Sequence, residues 1–444
     1  MSLLFENIQL LAGLAVSEGS ELPAPGGNLP PGEVLPLPPG ATRPSGSVPF
    51  AAPLRGKDLS VLPSLENAWL LVEGEEIAAY GPMSSKPQGL PAKQTVDASG
   101  RILLPAWCDS HTHLVFAASR ENEFIDKIKG LSYAEIAAKG GGILNSAEKL
   151  QAMPEDELFR LAWARLEEAA RLGTGAIEIK SGYGLTVEAE LKMLRVIKKL
   201  RQRSRLSIKA TFLGAHAYPA IYRNNHEGYL QLIEEEMLPV IAAEGLADYI
   251  DVFCEEGFFS AAETERICRA GMAHGLQPKI HANQLSLSKG VETGVALGAV
   301  SVDHLETMDD AAVQALAQSA TIGTLLPTAA FFLRMPFPPA RALVDAGAAI
   351  ALASDFNPGS SPTMNMNLVV AMACIQMRLL PEEAINAATL NGAAAMGLAA
   401  SLGRIHPGYR ANLLLTRPVP SLAYLPYAFG SNLVEQVWIG GESV

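Results

Sequence analysis

The sequence predicts an α/β fold: a TIM-like (β/α)8 barrel with a small β-sandwich domain built from both chain ends. Eight short apolar runs with the character of buried strands recur along the middle of the chain: Ile102–Asp109, Ala176–Ser181, Ile208–Ala215, Tyr249–Glu255, Pro278–Ala282, Val300–His304, Thr321–Leu326 and Ala349–Ser354. Helix-favouring segments lie between most of them, and strands buried on both faces that alternate with helices build a parallel sheet. Eight such units over roughly 250–300 residues match the size of a closed barrel. An open doubly wound sheet would instead place a Gly-rich phosphate loop after an early strand, and none follows the first run. The third observation is chemical: polar residues gather at the C-terminal ends of the runs, where such a barrel assembles its site.

Taken in order, residues 1 to 16 read as a short strand or two. From about 17 to 53 the chain turns rich in Pro, Gly and Ser, as in Pro23-Ala24-Pro25-Gly26-Gly27. Such a segment lacks ladder donors and apolar side chains to bury, so it is expected to be a surface insertion. Trp69 to Gly81 reads as two strands around a Gly-containing turn. Ser132-x-x-Glu135 and Ser260-x-x-Glu263 have capping-box spacing, with Gly140 and Gly275 as stops. Pro154 and Pro381 each open an acidic, helix-favouring turn. From Gly403 onward short strands and turns return. The expected division is a small β domain from 1–100 plus 405–444 and a hydrolase barrel from 101–404.

A chain of 444 residues can bury one large core and a smaller one, and 49% apolar with 18% charged residues fits a compact enzyme better than a disordered chain. The balance of 34 basic against 46 acidic residues gives −12, which argues against nucleic acid or an anionic membrane as partner. The one basic run, Lys198 to Arg205, ends a helix-like segment and is expected to complement its dipole and face solvent. Cys108, Cys254, Cys268 and Cys374 are scattered without a Cys-x-x-Cys pair, as in reduced thiols of a cytoplasmic protein. The first residues lack a signal-peptide pattern, and no uncharged apolar run reaches membrane-spanning length.

The run ending in Asp109-Ser110-His111-Thr112-His113 organises the rest. Side chains at i and i+2 of a strand project to one side, so His111 and His113 can share an ion. Of eight histidines, five fall at strand ends, the others being His216, His281 and His304, and Asp355 ends the last strand. Three imidazoles and a carboxylate suit a single zinc or iron ion with room for a water. Such an ion makes hydroxide available near neutral pH. Asp355 can touch the metal and accept the water's proton, while His304 can orient the nucleophile or stabilise an oxyanion. His226, His274 and His406 are expected on surfaces.

The barrel order, the His111-x-His113 pair, His281, His304 and Asp355 resemble the mononuclear branch of the amidohydrolase superfamily. The segments His113-Leu114-Val115-Phe116-Ala117-Ala118-Ser119-Arg120-Glu121-Asn122-Glu123-Phe124, Lys180-Ser181-Gly182-Tyr183-Gly184-Leu185 and Asp355-Phe356-Asn357-Pro358-Gly359-Ser360-Ser361 resemble the imidazolonepropionase family of histidine degradation, over about residue 65 to the C-terminus. The resemblance implies hydrolysis of 4-imidazolone-5-propanoate to N-formimidoyl-L-glutamate. It implies the metal ligands His111, His113, His281 and Asp355. It implies a substrate pocket lined by Arg120, Tyr133, Tyr183, His216, Gln284, Asn357, Gly359 and Ser360, and a homodimer. The residue types agree with this: a guanidinium such as Arg120 suits a carboxylate, and the loop from Asn357 to Ser360 is expected to offer it backbone and hydroxyl donors.

Two features depart from the family's pattern. Some members carry a glutamate at the position of Gln284; an amide cannot act as a base, which leaves proton transfer to Asp355 or His304. The insertion near 17–53 is the second. Lys180 stands where dinuclear relatives bridge two metals with a carboxylated lysine, but it lies within the mononuclear family's motif and is expected to be structural. The alternative functions are another cyclic amidohydrolase or deaminase of the superfamily, and a catalytically silent metal-binding barrel.

Overall fold

The structure, a computed structural model, describes residues 2–15, 52–131, 135 and 141–444. Nearly all of the expected 17–53 insertion, the capping box at Ser132, the stop at Gly140 and the pocket residue Tyr133 lie outside the described residues.

The first sheet is built around β1 (Ser2–Ala12). This strand pairs antiparallel with β2 (Ser64–Glu73), which turns at Gly74 into β3 (Glu76–Pro82). Gly74 has φ +63°, a left-handed turn position where glycine meets no Cβ penalty. Parallel to β1 run β4 (Gln94–Asp97) and β5 (Ile102–Pro105). The sheet folds over a core of its own, in which Phe5 meets Trp438 edge-on at 4.8 Å. Trp438 belongs to the C-terminal strands described below, so both chain ends supply this small core, as expected.

The expected strand Ile102–Asp109 is corrected: it is two strands in two sheets. β5 ends at Pro105, and β6 (Trp107–Asp109) opens the barrel. Between them Ala106 N donates to Asn412 O (2.9 Å) and Trp107 N to Gly173 O (2.8 Å), so the ladder changes partner at one residue. Every residue from Ile102 to Asp109 is buried, and periodicity alone reads such a run as a single strand.

The barrel continues with β7 (Thr174–Lys180), β8 (Ser207–Ala215), β9 (Tyr249–Cys254), β10 (Gln277–Ala282), β11 (Ser301–His304), β12 (Ile322–Leu325) and β13 (Ile350–Leu352). All are parallel, each paired with its neighbour in sequence. Closure comes just beyond the last ladder. Asp355 N donates to His111 O (3.0 Å) and His113 N to Phe356 O (2.9 Å). The buried Asp109 carboxylate accepts Ser354 N (3.0 Å) and Ser354 Oγ (2.6 Å). β14 (Leu413–Thr416), β15 (Val434–Ile439) and β16 (Glu442–Ser443) return to the first sheet, with β14 antiparallel to β5.

Among the helices, Ala261–Ala273 carries the expected capping box, with Ser260 and Glu263 exchanging hydrogen bonds, and Gly275 follows its end at φ +85°. Pro381 is the first residue of its helix, whereas Pro154 stands one position before Glu155–Arg171. No helix among the described residues is long and apolar enough to cross a membrane.

Candidate metal centre and active-site cavity

The barrel interior below the site holds fully buried charges: Glu178, Lys180, Asp251, Lys279 and Asp303. A lone buried charge costs several kcal/mol unless paired, and here each meets an opposite one. Lys180 Nζ donates to Glu178 Oε1 (2.6 Å) and Asp251 Oδ2 (2.8 Å), and lies 3.5 Å from Asp303 Oδ2. Lys279 pairs with Glu178 and donates to Ser110 O (3.0 Å). Burial opposes the charge of Lys180, but Asp251 and Glu178 outweigh it and hold its pKa above the usual value. The expected structural role of Lys180 is what this packing provides: an ion-paired ammonium has no lone pair for CO2 or a metal.

Two of these carboxylates reach up to histidines. Asp303 Oδ2 lies 2.7 Å from His111 Nδ1, and Asp251 Oδ2 lies 3.0 Å from His281 Nδ1. A carboxylate facing Nδ1 draws the ring hydrogen there and leaves Nε2 as the free donor atom, the usual support beneath metal-binding histidines. His111, His113 and Asp355 meet there because strand closure carries Asp355 onto the His111 carbonyl, and His281 arrives from β10. His113 Nε2 lies 3.4 Å from His281 Nε2, and Asp355 Oδ1 lies 3.4 Å from His111 Nε2 and 3.5 Å from His113 Nε2. Ligand atoms about 2.1 Å from a shared tetrahedral ion sit at about this mutual spacing.

The donor set therefore fits a metal ion. His111 Nε2 is buried without a hydrogen-bond partner, and the lone pairs of His113 Nε2 and His281 Nε2, turned toward each other, repel unless a proton or a metal ion lies between them. Burial, with the nearby charges of His111 and Lys180, brings His281 down to about 3 although Asp251 opposes this, so the ring is neutral as a ligand must be. Burial alone would raise Asp355, but the His111 and His113 rings beside it, with His304 nearby, hold it well below the usual carboxylate range. His304, which also approaches His111 and Asp355, faces Glu306 through Nδ1 at 3.3 Å. Glu306 outweighs the burial that disfavours charge and raises His304. Non-glycine residues hold left-handed backbone at both His304 (φ +88°) and Asp355 (φ +51°), strain of the kind that collects at functional sites.

A cavity of about 740 Å³ opens over these groups. Of the expected pocket residues, Arg120, Tyr183, His216, Gln284, Asn357, Gly359 and Ser360 line it. The His216 ring stacks on His113 at 5.4 Å, and its Nδ1 lies 3.0 Å from Gly182 O, so that nitrogen carries the hydrogen. Tyr183 stands 5.8 Å from His113, on a loop tied down by Glu190, whose buried carboxylate accepts Gly182 N, Gly184 N and Leu185 N at 2.7–3.0 Å. Glu255 holds the Gln284 loop by accepting Leu285 N at 2.8 Å.

The loop after Asp355 corrects one expectation. Its donors are spent inside it: Gly359 N and Ser360 N both donate to Asn357 Oδ1 (2.8 Å each), while Asn357 Nδ2 donates to Asp355 O and Ser360 Oγ (2.7 Å each). Ser360 Oγ in turn lies 3.3 Å from Asp355 Oδ2. All four hydrogen-bonding positions of the Asn357 amide are thereby used. The loop positions Asp355 and leaves a substrate carboxylate to be met by cations. A Cβ at Gly359 would run into the Arg120 guanidinium, so glycine lets that side chain approach.

The sequence reading missed Asp251, Asp303, Glu178, Lys279 and Glu306 beneath the site, and Phe124, Lys127 and Phe332 on the cavity wall. The alternation of charged residues with apolar ones inside β7, β9, β10 and β11 was the available signal for all of the first group except Glu306, which follows β11.

Barrel and site together define a metal-dependent hydrolase. Residues 102–444 match the amidohydrolase family model. Curated relatives include imidazolonepropionase of Flavobacterium johnsoniae, 54% identical over 88% of this chain and 94% of that one. That of Shouchella clausii is 41% identical, covering 88% of each chain. The chain belongs to the amidohydrolase family and, within it, to the imidazolonepropionases. Solved structures share the fold at low identity. E. coli guanine deaminase has a TM-score of 0.70 at 11% identity, covering 100% of this chain and 99% of that one. An adenosine deaminase of Xanthomonas campestris with bound zinc has 0.61 at 19%, covering 86% and 88%.

Proposed function

We propose that this chain hydrolyses the ring C–N amide bond of 4-imidazolone-5-propanoate to N-formimidoyl-L-glutamate in histidine degradation. The observation that carries the reading is the convergence of His111, His113, His281 and Asp355, as two triads that share His111 and with Asp355 within 3.5 Å of both His111 and His113, under a cavity that His113, His281 and Asp355 line, in a chain 54% identical to an imidazolonepropionase. These four would hold one zinc or iron ion. When bound, such an ion acts as a Lewis acid and supplies a hydroxide-like nucleophile at neutral pH.

The chain's own residues do the rest. Asp355 is held ionised and takes the nucleophile's proton, then returns it to the departing ring nitrogen. His304, with Nδ1 given to Glu306, keeps Nε2 for the oxygen that gains charge. Tyr183 and His216 flank the ring, and Gln284 positions it without serving as a base. Arg120 faces the propionate, and Asn357, Gly359 and Ser360 order the loop beside it; Tyr133 is proposed as a further pocket residue. We place the small β domain at 1–100 plus 405–444, extended by β5, around the 101–404 barrel. We also read the protein as a cytoplasmic homodimer, which family membership and four free cysteines support.

Metal analysis of the purified protein, coupled to an assay on freshly generated imidazolonepropionate, tests the reading. One equivalent of zinc or iron with N-formimidoyl-L-glutamate as product is expected. Stoichiometric metal without turnover would return the silent metal-binding barrel, and turnover of a nucleobase instead would return the deaminase.

A further inference from the structure

Arg120 is not a simple unopposed cation. Glu123, three residues on and buried, accepts from its guanidinium and also from Gly142 N at 3.0 Å. Both Glu123 oxygens are thus engaged, and the Arg120–Glu123 pair has no net charge. The loop from Asn357 to Ser360 spends its amide donors on itself. Two more cations line the same cavity: Arg334, which is exposed, and the more buried Lys127, one turn beyond Glu123 on the helix Glu121–Ile128.

Lys127 is half-buried, with its ammonium 5.6 Å from the centroid of Phe332, which stacks on Phe124 at 5.4 Å. Its Nζ donates to Gly359 O (3.1 Å), the one acceptor it has among the described residues. An ammonium carries three hydrogens, so two remain for a ligand. The contact sets Nζ against the same Gly359 that the Arg120 guanidinium approaches, and the Phe332 ring stands beside the charge.

We propose that Lys127 is a specificity-determining residue of this cavity, the cation that selects substrates carrying a carboxylate beside the reacting ring. Arg120 supplies the directed fork, and Lys127 supplies the net positive charge that the Arg120–Glu123 pair does not. The proposal rests on the functional reading above for the identity of the ring, but not for the preference for an anion.

The test compares wild type, Lys127→Met and Lys127→Arg as metal-loaded proteins. Binding of imidazole-4-propionate and of its methyl ester is measured by calorimetry, and KM for imidazolonepropionate is measured alongside. Wild type is expected to prefer the acid, and Lys127→Met to weaken acid binding and raise KM about ten- to a hundredfold, the value of one charge-assisted hydrogen bond. Ester binding should stay within about threefold, and Lys127→Arg should keep the preference. Acid binding unchanged in Lys127→Met overturns the proposal. So does equal weakening of acid and ester, which marks a packing role, or a wild type with no preference for the acid. If wild type and variants show the expected binding but none turns over imidazolonepropionate, the substrate assignment fails while Lys127 stands. Normal turnover with the acid preference intact in Lys127→Met gives the reverse.

Discussion

At the scale of single residues, the proposed metal centre rests on imidazoles of which two, His111 and His281, have Nδ1 facing a carboxylate. His281→Ala removes a proposed ligand and leaves Asp251 with Lys180 and the backbone N–H at position 281; bound metal and turnover should be lost together, read by metal analysis and the hydrolysis assay. Asp303→Asn keeps an acceptor for His111 but removes its charge, and should weaken metal binding about 10–100-fold, measured by competition with a chelator. Arg120→Ala, by contrast, should leave metal content intact and raise KM about ten- to a hundredfold. The proposed ligands could be picked out because His111 and His113 stand two apart just beyond β6, while His281 lies near the end of β10 and Asp355 just beyond β13. Asp251 and Asp303 were not, because a buried acid beside apolar neighbours declares its role only once the barrel brings a lysine and a histidine to it.

Elements matter here through how they are tied. Glu190 accepts three backbone N–H groups from the loop that carries Tyr183, and Leu185 in that loop has φ +55°. Glu190→Gln keeps one accepting oxygen but turns an NH2 group toward at least one of those donors, and should cost about 1–3 kcal/mol of stability with a loss of activity, measured by denaturant unfolding and kcat. Strand placement was legible from apolar runs alone, and seven of the eight expected runs overlap β7 to β13 closely. The eighth, Ile102–Asp109, failed because a chain crossing between two sheets stays buried throughout, and burial is all that hydropathy records.

For the whole molecule, the barrel is a shell closed around paired charges. Glu178, Asp251 and Asp303 are each held below their usual range: burial opposes this, and Lys180 and Lys279, with His281 at Asp251, outweigh it. A depressed carboxylate adds stability above its unfolded pKa of roughly 4 and loses it as pH falls further. Asp109 acts in the opposite sense, since burial raises it to about 6 and its cost is relieved between about pH 6 and 4. His113, His216 and His281, which burial keeps as neutral rings, act against Asp109, because the unfolded imidazoles take up protons below about 6.5. The urea midpoint should therefore decline from pH 7 to 5 and drop more steeply below about 4; an unchanged midpoint at pH 3 would contradict the network's role. Metal removal should lower the thermal midpoint as well, because the bound ion stabilises only the folded chain. The joint contribution of both chain ends to one small sheet was readable from the return of short strands after Gly403.

The claim beneath all of this is that His111, His113, His281 and Asp355 grip one shared cation. Anomalous diffraction at the zinc and iron edges, on crystals of the metal-loaded protein, tests it most directly. The account predicts a single peak within coordination distance of all four side chains and none at Lys180. A second peak beside Lys180, or a lone peak that Asp355 or His281 does not reach, would contradict it.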